Sequence, residues 1–360
     1  MIIRGKVYTR AQVLERVGQI RQLGGTRHII LDEGRAKGVS AIDVNTGSGF
    51  QFSILPDRGL DISAATYKGV NLVYQTPNGV SHPAYYEPQG SGWLRSFFGG
   101  LLTTCGLTYL GPPGRDGSHD LGLHGRYSTT PAVQVNDRSN WKGDEYCIEV
   151  TGVVEESALF SDKVRLTRTI ETHIGARFLT IHDVVENFGY QPTPFTILYH
   201  INPGFPLLDS GSELFLTSAD SRAYDDHSAE HMDSMRTFSE PLSGFEEQDY
   251  LHTMLADDKG SGHAALVNRE LNGGLGLYVS FDVELLPYLS EWKMMGQGEY
   301  VVGIEPGNVP CRNRSELRDR GELPVLAAGE KKEMHLEIGV LEGNEEIGEF
   351  VNKIESIQAL

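Results

Sequence analysis

Cysteine is scarce, with three residues in 360. Cys105, Cys147 and Cys311 are widely spaced, odd in number and never in a CxxC pair, which excludes a disulfide framework and fits a reducing compartment. Cys105, in Thr103-Thr104-Cys105-Gly106, reads as a small buried hydrophobe, although a lone Cys with a His elsewhere is also the type of residue that serves as a nucleophile. Long apolar runs are missing, and none approaches the ~20 residues of a membrane span. The stretch MIIRGKVYTRAQVLERVGQ places charges where a signal peptide needs its apolar segment. The expectation is a soluble, cytoplasmic protein. Positive charge is also in deficit: 31 Lys+Arg face 49 Asp+Glu, a net charge of −18. Such a field repels phosphate backbones and anionic lipid, which argues against nucleic acid and membrane as partners. Neither GxxxxGK[ST] nor a GxGxxG between strand and helix occurs, so nucleotide cofactors have no support. HExxH is absent too. His227 and His231 are four apart and His119 and His124 five apart, but no third ligand accompanies either pair, and neither is read as a metal site.

What is present is ample apolar material, 39% of residues, and 42 Gly and 16 Pro spread along the chain, which suits many turns. One helix is expected near the start. Thr9 and Gln12 form a capping-box pattern, Leu14, Val17, Ile20 and Leu23 follow at helical spacing, and Gly24-Gly25 stops it. Thereafter the dominant period is two. In 332–341, Met334, Leu336, Ile338 and Val340 alternate with Glu333, His335, Glu337 and Gly339, a half-buried strand. Residues 146–154, 164–174, 178–186, 195–201, 276–281 and 300–305 read as further strands. No linker or composition shift divides the chain. Many strands and few helices predict one large antiparallel β structure, a sandwich or barrel. The stretch 210–258, crowded with Asp, Glu, His and Ser, is expected to be an irregular surface excursion at the rim of a site.

Four short motifs point to chemistry. Arg58, in Pro56-Asp57-Arg58-Gly59, follows an apolar strand and either projects its guanidinium toward a ligand or forms a structural turn with an Asp. His124 lies in Gly122-Leu123-His124-Gly125, where its ring would be little crowded. His200 ends one apolar strand and Glu305, held by Pro306-Gly307, ends another. Strand ends are where a rigid scaffold hands side chains to a cleft. Two imidazoles and a carboxylate there would supply a general acid, a general base and a binding donor.

In this order, with Pro324-Val325-Leu326-Ala327-Ala328-Gly329-Glu330 after them, these motifs resemble the aldose 1-epimerases (galactose mutarotases). The nearest likeness is to a poorly characterised branch of aldose 1-epimerase family proteins, through residues 55–62, 99–106 and 303–308. The resemblance runs from about residue 38 to residue 341. It implies an all-β β-supersandwich, two large antiparallel sheets face to face, with a short N-terminal helix and a sugar site on the concave side. Residues 1–360 would form a single galactose mutarotase-like carbohydrate-binding domain. By position, the resemblance implies His200 as general acid, Glu305 as general base, and Arg58 and His124 as ligands of sugar hydroxyls. Asp249 is its candidate for a further Asp ligand. Trp292 either stacks on a sugar face or is a core aromatic. The family's Asn-His-Ser-Tyr-Phe-Asn segment is here Tyr199-His200-Ile201-Asn202-Pro203-Gly204-Phe205, which keeps the His but leaves the sugar open. The implied partner is a small-molecule sugar, the cofactor requirement none, and the assembly a monomer or homodimer.

Anomer interconversion needs a proton removed from the C1 hydroxyl and one delivered to the ring oxygen, which a carboxylate base and an imidazolium acid perform without metal or cofactor. A non-catalytic sugar binder and a glycoside hydrolase or lyase, the latter pairing Asp57 with Glu305, are the alternatives. Arg312, Arg314, Arg318 and Arg320 could steer an anionic sugar, but their alternation with Glu316, Asp319 and Glu322 favours an internally paired loop.

Overall fold

The period of two at 332–341 belongs to a larger pattern. In the computed structural model, which describes residues 1–3 and 5–359, the strands Lys163–His173 and Phe178–Asn187 alternate buried and half-buried side chains along nearly their whole length. They lie within a nine-stranded antiparallel sheet. Its order is Val133–Asp137, Glu145–Ser157, Lys163–His173, Phe178–Asn187, Lys331–Glu342, Leu275–Asp282, Ser261–Asn268 and Glu213–Leu216, with Asn140–Lys142 also paired to Glu145–Ser157. A six-stranded sheet runs Ser218–Ala223, Gln248–Met254, Tyr288–Gly296, Glu299–Gly307, Thr196–His200, Thr103–Leu107. A five-stranded sheet from Gly25–Ile30 to Val70–Asn71 continues it through an antiparallel bridge between Ile62 and Leu102.

Leu166, Ile170, Ile181, Val185, Leu336 and Ile338 of the nine-stranded sheet share one apolar cluster with Ile54, Ile62, Ile197, Val302 and Ile304 of the other two. Each such side chain contributes ~1.5–3 kcal/mol on leaving water. The chain is therefore an all-β sandwich. A fully buried ion network crosses the core. The Arg168 guanidinium donates to Asp183 at 2.7 and 2.9 Å, to Asp61 at 2.9 Å and to Thr104 Oγ1 at 3.0 Å. Tyr199 donates to Asp183 at 2.9 Å. One guanidinium thus ties all three sheets together at the residue preceding His200, with every donor matched to an oxygen, as a buried charge requires.

Two expectations are corrected. The capping box of Thr9 and Gln12 forms, but the helix ends after Arg10–Leu14, and the continuing period is carried by a separate 3-10 turn, Ile20–Gln22. A much longer helix, Asn344–Gln358, packs Ile347 and Val351 against Ala265, Val267 and Leu341. The stretch 210–258 contains three regular strands, Glu213–Leu216 in the nine-stranded sheet and Ser218–Ala223 and Gln248–Met254 in the six-stranded one, because sheet pairing outweighs polar composition. Among the described residues, no helix is long and apolar enough to cross a membrane.

Candidate active site

The six-stranded sheet shows the apolar core one face and a cavity the other. Along Glu299–Gly307, Val302 and Ile304 enter the core, while Glu305 points the opposite way. Along Thr196–His200, Ile197 and Tyr199 face the core and His200 the cavity. Strand alternation therefore delivers both residues to one volume, about 450 Å³, ample for a sugar ring.

His200 Nε2 and Glu305 Oε1 approach to 3.1 Å, and both side chains are 95% buried. The approach is not aligned as a hydrogen bond, and Glu305 Oε1 and His200 Nδ1 are both buried without hydrogen-bond partners. Buried polar atoms are rarely left so, and an acid and a base awaiting a substrate explain them. Burial, helped by the nearby Asp249, pushes Glu305 well above the usual carboxyl range. Burial, with His124 adding a little, lowers His200 to about 3. Burial therefore favours the neutral form of each group, the carboxylic acid and the neutral imidazole. The dry surroundings disfavour both charges of the expected carboxylate base and imidazolium acid.

Those surroundings are aromatic. Phe97 lies 5.2 Å from the His200 ring centroid, Trp292 lies 5.6 Å away edge-on, and Trp93 stacks on Phe97 at 4.5 Å. The Trp292 indole donates to Glu247 Oε2 at 2.9 Å, which fixes its tilt. Trp292 pairs across the strands with Gly303 and Asp249.

His124 also lines the cavity, with its ring 6.1 Å from that of His200. Its φ of 56° is rare for a residue with a side chain. Its N–H donates to Gly111 O at 3.0 Å and its Nδ1 accepts from Gly111 N at 3.4 Å, leaving Nε2 to carry the proton. Burial lowers its pKa to about 4, so it is a neutral donor. The glycines beside it serve the backbone rather than the ring: a Cβ on Gly125 would strike the carbonyls of Tyr109 and Gly106. Asp249 lines the cavity as well, raised to about 7 by burial and by Glu247, Asp225 and Glu291.

Arg58 is elsewhere, and its expected role as a sugar ligand is corrected. Its guanidinium is fully buried and donates to the carbonyls of Ser128 at 2.6 Å, Ser81 at 2.8 Å and Ser96 at 2.8 Å. With Nε, Nη1 and Nη2 all spent on main chain, it braces the segment that carries Trp93 and Phe97. Asp57, its expected turn partner, instead accepts from Ser40 N at 2.6 Å, away from the cavity. The later arginines are neutralised too. Arg314 and Arg318 share Asp116 at 2.8 and 2.7 Å, and Arg312 and Arg320 share Glu316 at 2.7 and 2.9 Å. Among the described residues no Lys or Arg lines the cavity, whereas Glu247, Asp249 and Glu305 do.

Trp93, Phe97, Tyr224, Ser290 and Cys311 line the cavity and were not anticipated. The Tyr224 hydroxyl accepts from Cys311 N at 2.7 Å and lies 3.1 Å from Ser290 Oγ. Burial and Glu305 push the Cys311 thiol up, so it is no nucleophile. Cys105 is buried in the same way.

A family model described as "Domain of unknown function (DUF4432)" matches residues 36–340. No curated protein matches the chain significantly. Among solved structures, a candidate aldose 1-epimerase from Klebsiella pneumoniae is similar at a TM-score of 0.88 and 25% identity, over 92% of this chain and 87% of that one. A galactose mutarotase-like protein from Clostridium acetobutylicum gives a TM-score of 0.62 at 15% identity, over 89% of this chain and 99% of that one. A galactose 1-epimerase from Lactobacillus acidophilus gives 0.59 at 13% identity, over 89% and 100%. The sandwich is of the galactose mutarotase-like kind.

Proposed function

The chain belongs to the DUF4432 family, and from that premise we propose that it is an aldose 1-epimerase-like isomerase that interconverts the anomers of an uncharged sugar. The observation that carries the reading is the buried, aromatic-walled pair of His200 and Glu305, 3.1 Å apart with unpartnered polar atoms. Binding alone needs no such pair. A cavity with no Lys or Arg among the described residues to pair an anion, and with Glu247 at its edge, disfavours sugar acids and sugar phosphates. The reading takes residues 1–360 as one sugar-binding unit working on a small-molecule partner.

The pair holds one proton in total. With that proton on Glu305, neutral His200 removes the proton of the C1 hydroxyl while the Glu305 carboxyl protonates the ring oxygen. The C1–O bond to the ring opens, the aldehyde carbon turns, and closure on the other face returns both protons. The His124 Nε2–H and the Asp249 carboxyl hold hydroxyls, and Trp292 or Phe97 meets the apolar face of the ring. A low-dielectric setting favours this neutral pair because no full charge need be buried before the transition state.

Anomer exchange measured by NMR across neutral and acidic aldoses tests the proposal. Exchange should be fastest with neutral sugars, and reducing ends should not be released from glycosides. Glycoside cleavage without anomer exchange would replace this reading with a hydrolase.

A further inference from the structure

The register of the nine-stranded sheet brings together three side chains that the sequence keeps about 150 residues apart. His182 on Phe178–Asn187 is the direct cross-strand partner of His335 on Lys331–Glu342. Glu333, two residues from His335 on the same face, is the diagonal neighbour of His182. The imidazoles lie parallel, with centroids 4.3 Å apart and planes within 5°. Glu333 Oε2 lies 3.3 Å from His182 Nε2. One ligating atom from each of the three falls within 4.8 Å of the others, the one such group among the described residues.

This trio stands apart from the sugar cavity. Asp183 and Tyr199 meet between the sheets, so the adjacent His182 faces away from the six-stranded sheet. The nearby cations are engaged elsewhere, Lys331 with Glu186 at 3.5 Å and Lys332 with Glu330 at 3.1 Å, so neither competes for Glu333. His263, which lines the same surface groove as His182 and His335, is tied to Asp257 and Ser280 and is not free to ligate.

We propose that His182, His335 and Glu333 form a surface site for a late first-row divalent cation of the Zn²⁺ class, which staples the strands Phe178–Asn187 and Lys331–Glu342. Two imidazole nitrogens and one carboxylate oxygen are the donors such ions prefer, at ~2.0–2.2 Å each. His182 is partly exposed and Glu333 and His335 are exposed, so the side chains can rotate inward over the ion. The set leaves a coordination position for water. Because only the folded register assembles it, bound metal stabilises the folded state by mass action.

The test titrates the full chain with ZnCl₂ by calorimetry and follows thermal unfolding with and without the ion. One equivalent should bind. His182→Gln and His335→Gln should each weaken binding by at least ~10-fold, as loss of a direct ligand does, and Glu333→Gln less. Affinity should fall at lower pH, where protons compete with the ion for the ligand nitrogens. Zn²⁺ should raise the Tm of the wild type and not of the His182→Gln/His335→Gln double variant. All these variants should retain wild-type anomer exchange, which separates this site from the sugar cavity. The proposal is overturned if the double variant binds Zn²⁺ like the wild type, if binding is lost instead in His227→Gln/His231→Gln, or if bound Zn²⁺ leaves Tm unchanged.

Discussion

Gly303 leaves empty the space that the Glu305 carboxyl occupies: a Cβ at position 303 would collide with Glu305 Oε1 and lie 3.1 Å from the Trp292 Cβ. Residues two apart on a strand share a face, so one glycine sets both the carboxyl position and the distance to the aromatic wall. Gly303→Ala should fold with nearly unchanged Tm, because the long Glu305 side chain can swing aside. Turnover should fall by ~10²-fold, the usual effect of displacing a reacting group by ~1 Å. Circular dichroism with NMR anomer exchange checks both halves, and wild-type turnover would show that the carboxyl position is unimportant.

The pH profile follows from the direction of the two shifts. Activity needs His200 neutral and the Glu305 carboxyl protonated. With His200 lowered to about 3 and Glu305 raised, activity should be lost on the acid side as His200 gains a proton, and on the alkaline side as Glu305 loses its own. The two steps belong to the pair as a unit. Rates across pH should therefore be bell-shaped, with Glu305→Gln removing the alkaline limb from whatever activity remains. An alkaline limb that persists in this variant would assign it to another group, Asp249 being the nearest candidate at about 7.

Arg58 should matter for stability more than for the sugar. Arg58→Met leaves the carbonyls of Ser81, Ser96 and Ser128 without their buried donor, each costing ~1–3 kcal/mol. Urea unfolding should show a loss of that order or more, while Arg58→Lys restores part of it. A variant with native stability but a raised KM would return Arg58 to the sugar.

Chelation should leave catalysis intact, because the acid and base complete the chemistry themselves. Activity after EDTA should match the untreated enzyme, even where the chelator lowers the Tm of Zn²⁺-loaded protein. Turnover lost to EDTA and restored by a divalent ion would contradict the mechanism.

Most of the β framework was legible because its strands alternate cleanly. Residues 164–174 and 178–186 were expected within one residue of the observed strands. The C-terminal helix was legible in principle, since Ile347, Val351, Ile354 and Ile357 recur at helical spacing. His200 and Glu305 stood out as strand-ending residues, and strand parity explains why they meet. Other parts depended on contacts that no local pattern encodes. The fate of Arg58 is decided by three carbonyls 23–70 residues away. The walls formed by Trp93 and Phe97 come from a short turn with no periodicity of its own. The proton distribution in the pair follows from burial, which sequence alone does not give. The trio of His182, Glu333 and His335 emerges only once the strand register is known.

The central claim is that Glu305 and His200 act together on the sugar. The most direct measurement compares anomer exchange with sugar binding in Glu305→Gln, His200→Asn and the double variant. Gln keeps the shape and hydrogen bonding of a neutral carboxyl but cannot release its proton, and Asn cannot accept one. Each single variant should lose ~10²–10⁴-fold in turnover while binding weakens far less, and the double variant should be little worse than the worse single. Near-normal anomer exchange with Gln at position 305, or losses that multiply independently in the double variant, would contradict it.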